Sequence, residues 1–171
     1  MTLSIRPATL NDVAQMDRME QEAFSTPWSL SLLRAAVLNL SYEVRVVRDE
    51  TDGVVAFYIA HATNSLSNLD NLVVDSPQRG TGLGDMLLSD WMERARKRTL
   101  DRLTLQVRTD NQVAQRLYNK HHFSCTRLLE CYYPDGSSAY QMERRFTLPR
   151  AREAARPRTT MGDVAPAGST W

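Results

Sequence analysis

Apolar residues recur along this chain with two periods, and the switches between them predict the order of its elements. Ser4-Ile5-Arg6 reads as a short first strand. Thr9 stands three residues before Asp12 in a capping-box spacing; Val13, Met16, Met19, Glu20 and Ala23 follow at helical intervals, with Met16, Met19 and Ala23 as the apolar stripe. Thr26-Pro27 opens a second helix with Leu30, Leu33, Val37 and Leu38 on its apolar face. Residues 42–48 alternate and residues 54–60 are almost wholly apolar, two strands joined across Asp52-Gly53, a pair suited to a hairpin. A third strand runs through residues 69–74 into a glycine-spaced turn. Leu83, Leu87, Leu88, Trp91, Met92 and Ala95 then make one stripe of a helix over residues 83–99. Leu103-Thr104-Leu105-Gln106-Val107 is a buried strand, and residues 111–120 a helix with Val113, Ala114, Leu117 and the following Phe123 turned inward. Two last strands lie near residues 125–131 and 139–144.

This order, β-α-α-β-β-β-α-β-α-β-β, predicts an α/β protein with a mixed sheet and helices on both faces. The strand–helix–strand unit around residues 83–99 implies a parallel crossover. After Phe146 the apolar period stops. Residues 147–171 are rich in Ala, Arg, Pro, Gly and Thr, and Arg150, Arg152, Arg156 and Arg158 against Glu153 and Asp163 leave them mildly basic. One domain over residues 1–146 and a disordered tail over 147–171 are expected.

Composition narrows the function by exclusion. At 171 residues the chain is long enough for one sizeable core. A formal net charge of +1 gives no electrostatic argument for a nucleic-acid or membrane partner. No apolar run approaches the ~18–20 residues of a spanning helix, and residues 1–7 lack a basic-then-apolar leader pattern. Cys125 and Cys131 form no C-x-x-C pair and read as free, buried thiols of a cytoplasmic protein. The adjacent His121 and His122 do not share a helix face, so no metal site is expected of them; His61, at a strand end, reads as structural or exposed.

The chemistry concentrates after the third strand. Leu72-Val73-Val74-Asp75-Ser76-Pro77-Gln78-Arg79-Gly80-Thr81-Gly82-Leu83-Gly84 runs strand, break, glycine turn, helix start. Such a turn offers unobstructed backbone N–H groups to an anion, and the helix dipole adds ~0.3–1 kcal/mol. Arg79 supplies a full charge at the rim. No Gly-Lys-Ser/Thr closes a nucleotide loop, and G-x-G-x-G is not the dinucleotide spacing G-x-G-x-x-G. A plain strand-to-helix turn remains the alternative.

These residues resemble a known family. Arg79-x-x-Gly82-x-Gly84 is similar to the acyl-CoA signature of the GNAT N-acetyltransferases. Leu105-Gln106-Val107 with Asn111, Ala114, Leu117 and Tyr118 resembles the same family's second block. Tyr132-Tyr133-Pro134-Asp135-Gly136 with Ala139-Tyr140-x-Met142 resembles the end of the protein N-terminal acetyltransferases, and Glu22-Ala23-Phe24-Ser25-Thr26-Pro27-Trp28-Ser29 the opening motif of the RimI type, which acts on the N-terminal alanine of a ribosomal protein. The resemblance implies the GNAT fold: a mostly antiparallel twisted sheet of about seven strands with a parallel, splayed central pair. It implies acetyl-CoA as co-substrate and no metal. Leu72, Val73 and Val74 would lend backbone groups to the pantetheine arm, and residues 79–84 (Arg79, Gly80, Thr81, Gly82, Leu83, Gly84) would hold the pyrophosphate. Asn111 would cap its helix, contact the CoA arm, or do both.

Tyr118 would be the general acid toward the leaving thiolate, as a phenol of pKa ~10. A glutamate of the RimI-type pattern is replaced by Gln106, which cannot accept a proton. The substitute bases are Glu22, on the segment edging the peptide site, or a water chain ending at Asp70. Tyr132, Tyr133 and Trp28 are the candidate acceptor-cleft residues. The expected partner is a protein or peptide N-terminus, with a ribosomal protein as the candidate the resemblance names, and the chain a monomer or weak dimer. A small-molecule acetyltransferase and a CoA-binding module without turnover are the rival readings.

Overall fold

A computed structural model describes residues 3–146; the tail expected over residues 147–171 lies outside the described residues. The strands are β1 (Ser4–Pro7), β2 (Tyr42–Arg48), β3 (Val54–Thr63), β4 (Leu66–Val74), β5 (Arg102–Arg108), β6 (Ser124–Leu129) and β7 (Ala139–Arg145). The helices are α1 (Val13–Ala23), α2 (Leu30–Leu38), α3 (Leu83–Lys97) and α4 (Gln112–Lys120). The strands form one sheet in the order β1-β2-β3-β4-β5-β7-β6. Every neighbouring pair is antiparallel except β4–β5, which α3 joins as a parallel crossover. Among the described residues no helix is long and apolar enough to cross a membrane.

The two sheet faces are closed by different helices. Leu83, Leu87, Leu88 and Trp91 of α3 pack with Tyr118 of α4 on Tyr58, Leu69, Leu103, Leu105 and Met142. Val13, Met16 and Met19 of α1 and Leu33 and Ala36 of α2 pack on Val44, Val46, Phe57, Ile59 and Val73. Covering on both sides explains why residues 54–60 read as one apolar run. Strands β5 and β7 are apolar only toward α3, and on the other face they carry Thr104, Gln106, Gln141 and Glu143.

β4 contains the irregularity that shapes everything downstream. Leu69 pairs with Ala60 and Asn71 with Ile59, so Asp70 is an extra residue, a β-bulge. A one-residue insertion reverses the facing of all that follows. Leu69 and Leu72 therefore both point to the α3 core, while the two polar neighbours between them, Asp70 and Asn71, share the opposite face. The β4–β5 ladder runs only from Leu66↔Arg102 to Leu69↔Leu105 and ends where the bulge begins.

Several local expectations are corrected. Leu30 and Leu38 are 46% and 65% exposed, because a helix of nine residues buries only Leu33 and Ala36 fully. Val113 is 71% exposed; the inward row of α4 is Ala114, Leu117 and Tyr118. Cys125 and Cys131 are free but exposed, Cys125 because it lies on the edge strand β6. The Asp52-Gly53 pair does lie in the turn between β2 and β3, with Asp52 in the left-handed conformation.

Asp12 ties the first elements together. Fully buried, it accepts from Arg6 Nη2 at 2.7 Å, Arg48 Nη2 at 2.6 Å and the Thr9 N–H at 2.7 Å. Burial raises its pKa, but the hydrogen bonds from Arg6, Thr9 and Arg48 outweigh burial and bring it to about 2. Asp12→Asn strands two guanidinium partners and is expected to cost about 3–5 kcal/mol in urea unfolding at neutral pH. The folded value lies below the ordinary 3.8, so the contribution is whole above that value and lost as pH falls toward about 2. The gap between the wild type and the variant should therefore narrow over that window, by about 2.5 kcal/mol.

Candidate active site

The site is built around the gap that opens between β4 and β5. Beyond Leu69 the β4 backbone pairs on one side only, with β3: Asn71↔Ile59, Leu72↔Tyr58, Val73↔Phe57 and Val74↔Ala56. Toward β5 the same stretch has no ladder partner. Val73 is buried under α1 and α2, and Leu72 and Val74 are half-buried on the α3 core. The side chains serve the core and one backbone edge is left over.

That edge runs into a second set of backbone donors. After the turn Ser76–Gln78, Gly80 (φ 78°) and Gly82 (φ 94°) hold left-handed conformations that a side chain would strain. Gly82 is the N-cap of α3, and the first N–H to find an intrahelical acceptor is that of Met86, on the Gly82 carbonyl at 3.0 Å. The donors before it point out of the helix end. Gly84 is needed for closeness: a Cβ there would meet Leu117 Cδ2 at 3.1 Å, so α3 lies directly on α4. Leu83 is buried in the core, and Thr81 Oγ1 donates to the Gln78 carbonyl at 2.6 Å, closing the turn. Arg79 folds back so that its Nε donates to the Val74 carbonyl at 3.2 Å. Asp85 would repel an anion at this helix end, but Lys120 Nζ at 2.7 Å and His121 Nε2 at 2.9 Å engage it and hold its carboxyl below the usual range.

α4 packs beside the start of α3 and into the same core. Asn111 is its N-cap, with Oδ1 accepting from the Ala114 N–H at 3.1 Å; the carboxamide nitrogen is left for another partner. Tyr118 is buried beside Phe123, and burial pushes its phenol above the ordinary value. The helix stops through His122 (φ 62°), a left-handed residue whose position lets the Phe123 N–H close on the Tyr118 carbonyl at 3.0 Å.

The opposite sheet face carries the remaining candidates. Gln106 Nε2 lies 3.4 Å from Asn68 Oδ1. The Arg108 guanidinium stacks over the Tyr133 ring at 5.0 Å and pairs with Asp135 at 2.9 Å. Tyr132 packs edge-on against Tyr133 at 5.1 Å and is 48% exposed. Ser25 Oγ reaches Asp135 at 3.5 Å, so the α1–α2 and β6–β7 loops meet across this face. Trp28 packs on the α1–α2 core, and its backbone N–H donates to Glu20. Glu22 stands apart, half-exposed and paired with Arg18 at 3.1 Å.

Three polar groups were not singled out by the sequence reading. Glu20, 1% exposed, accepts from Asn71 Nδ2 at 2.7 Å and from the Trp28 N–H at 3.0 Å, fastening α1 and the following loop to β4 just past the bulge. Its signal was a carboxylate one residue from Met19 on an otherwise apolar stripe. Asn71 is another, as is the pairing of His61 with Asp70, the latter a candidate base on its own in the sequence reading. Their signal was the broken alternation Leu69-Asp70-Asn71-Leu72.

The sheet is thus split at its parallel pair, with a glycine-lined helix end beside the split. The chain belongs to the acetyltransferase (GNAT) family, whose model matches residues 13–123. Among curated proteins it is 33% identical to a [ribosomal protein bS18]-alanine N-acetyltransferase of Haemophilus ducreyi, over 74% of this chain and 87% of that one. Its fold is similar to the crystal structure of the ribosomal-protein-S18-alanine N-acetyltransferase of Escherichia coli, with a TM-score of 0.81, 25% identity, and 88% and 98% of the two chains covered. A structure of Arabidopsis thaliana NAA60 in complex with acetyl-CoA shares the fold alone, with a TM-score of 0.77, 17% identity, and 84% and 98% covered.

Burial raises the Glu20 pKa above 4.5. The folded state therefore binds this proton more tightly than the unfolded chain, and the charge weighs against folding as pH rises through the folded value. Glu20→Gln removes the charge and keeps the shape. The unfolding free energy of the variant minus that of the wild type should rise as pH climbs above about 4.5 and level off once the folded carboxyl is ionised. Urea midpoints across that range check the slope; a flat difference refutes it.

Proposed function

We propose that the protein transfers an acetyl group from acetyl-CoA to the N-terminal α-amine of a protein, and that a ribosomal-protein N-terminal alanine is the acceptor to try first. The observation that carries the reading is the unpaired β4 edge leading straight into the uncapped N-terminus of α3. A pantetheine arm carries amide groups in an extended chain and can complete that edge as an extra strand. A diphosphate matches the donors of residues 80–85. The relatives named for an N-terminal alanine substrate support the choice of acceptor.

The chain's groups then divide the reaction between them. A backbone N–H near Val74 stabilises the oxygen that becomes negative as the amine adds to the thioester carbonyl. The tetrahedral intermediate collapses with cleavage of the C–S bond. Tyr118 donates its proton to the sulfur; its raised pKa keeps it protonated until a thiolate forms. Asn111 offers its carboxamide nitrogen to the CoA arm while its oxygen caps α4. Gln106 orients the amine or a water. Tyr132, Tyr133 and Trp28 line the acceptor cleft, with Tyr133 fixed by Arg108. The exposed, unpaired thiols suit a reducing, cytoplasmic setting.

Thiol release from acetyl-CoA with peptides beginning Ala or Ser, against free amines, tests the reading. Turnover on the peptides is expected. Turnover confined to free amines would move the acceptor to small molecules, and heat of CoA binding without thiol release would leave a binding module. Tyr118→Phe should lower kcat by about 10²–10⁴-fold with CoA affinity unchanged.

A further inference from the structure

The face bearing Gln106 holds a connected polar chain of which the steps above use only Gln106 itself. Gln106 Nε2 and Thr104 Oγ1 donate to Asn68 Oδ1 at 3.4 and 2.8 Å, Asn68 Nδ2 donates to Asp70 Oδ1 at 2.8 Å, and Asp70 Oδ2 lies 2.6 Å from His61 Nδ1. The chain starts at a carboxamide that cannot accept a proton and ends at an imidazole, whose ring nitrogen can. The bulge sets this up. Asp70 is the inserted residue, the first beyond the last β4–β5 pair, and so stands at the vertex of the gap. A carboxylate taking the Nδ1 hydrogen fixes the tautomer and leaves the Nε2 lone pair to accept. The His61 side chain is 37% exposed, so a proton taken there can pass to water. The other carboxylates are committed, Glu20 to Asn71 and the Trp28 N–H, Glu22 to Arg18.

We propose that His61, oriented by Asp70, removes the proton that the substrate ammonium must lose before it attacks, with Asn68 linking the pair to Gln106. The proposal rests on the acetyl-transfer reading. The ammonium N–H bond breaks and its proton passes to Nε2, directly or through one water, and then to solvent. The freed lone pair forms the C–N bond, the C–S bond breaks, and sulfur takes its proton from Tyr118. Tyr118 recovers one from the nitrogen, so the net products are the acetylated amine, CoA thiol and one released proton. The groups facing His61 are the Tyr42 ring from β2 at 5.7 Å and Asp70 from β4. Beyond them on this face are Glu20 from α1 and Glu143 from β7, the latter held by Arg145 at 2.7 Å and Arg102 at 3.9 Å.

The test is kcat/KM for thiol release against pH, with acetyl-CoA and an Ala-starting peptide, for wild type, His61→Gln and Asp70→Asn. His61→Gln should lose about 10²-fold or more near pH 7 and recover toward pH 9, where an α-amine of pKa ~7.7–8.0 is already neutral. Asp70→Asn should show the same pH-dependent loss in smaller measure, and Gln106→Glu should restore much of the rate to His61→Gln. CoA binding heats should be unchanged throughout. A His61→Gln profile that overlays the wild type, or lies below it by a constant factor at every pH, overturns the proposal alone. Absence of wild-type thiol release overturns the parent reading and this one with it.

Discussion

The parting of β4 from β5 after the Leu69↔Leu105 pair is the constraint on which the rest of this structure depends. An unpaired edge at the centre of a sheet leaves N–H and C=O groups that need partners, since a buried one left unmade costs about 1–3 kcal/mol. The sheet tolerates the gap because the other bonds of both strands are complete. β3 pairs with β4 as far as Val74, and β7 pairs with β5 as far as Arg108. The two halves of the sheet are separately closed and joined by four residue pairs. The bulge at Asp70 sits at the joint and turns the leucines on both of its sides toward α3. One inserted residue thus keeps the core intact and releases the backbone edge.

Helices α3 and α4 convert that edge into a site through close packing. Gly84 against Leu117 brings the uncapped end of α3 alongside the helix that carries Asn111 and Tyr118. The Lys120–Asp85 and His121–Asp85 contacts bind the same two helices and cancel the one carboxylate in the first turn of α3. The ion pairs therefore act on two levels: they fix helix spacing, and they preserve the positive end of the α3 dipole. Burial of Tyr118 favours the neutral phenol, which fits a group that must hold its proton until a thiolate appears.

Much of this was legible in the sequence because it rests on period and punctuation. The α3 stripe from Leu83 to Ala95, the Pro–Gly break before it and the apolar run of β3 each have one geometric meaning, and so the crossover and the two-sided core followed. What escaped was phase. Leu30, Leu38 and Val113 lie on nine-residue helices, where a shift of one position moves a residue from core to solvent. Asp70 and Asn71 look like two ordinary polar residues until the bulge is known, because strict alternation places them on opposite faces. Cys125 was assigned to the interior on residue type, and the edge position of β6 depends on pairing order, which no local pattern encodes.

A carboxamide at position 106 also bears on which amine the proposed reaction can use. At pH 7 an α-amine of pKa ~7.7–8.0 is neutral in roughly one molecule in ten, whereas a lysine amine of pKa ~10.4 is neutral in fewer than one in a thousand. The difference, about 2.5 units, multiplies the attacking species by more than 10²-fold for an N-terminus before any contact discriminates. A strong base beside the nucleophile would erase part of that advantage by deprotonating either amine. A modest acceptor such as the proposed His61, held by Asp70, preserves more of it. In the proposed reaction the carboxamide at Gln106 thus acts as a chemical filter favouring N-termini over lysine side chains. The loops joined by Ser25 and Asp135 then need only select the residues that follow the amine.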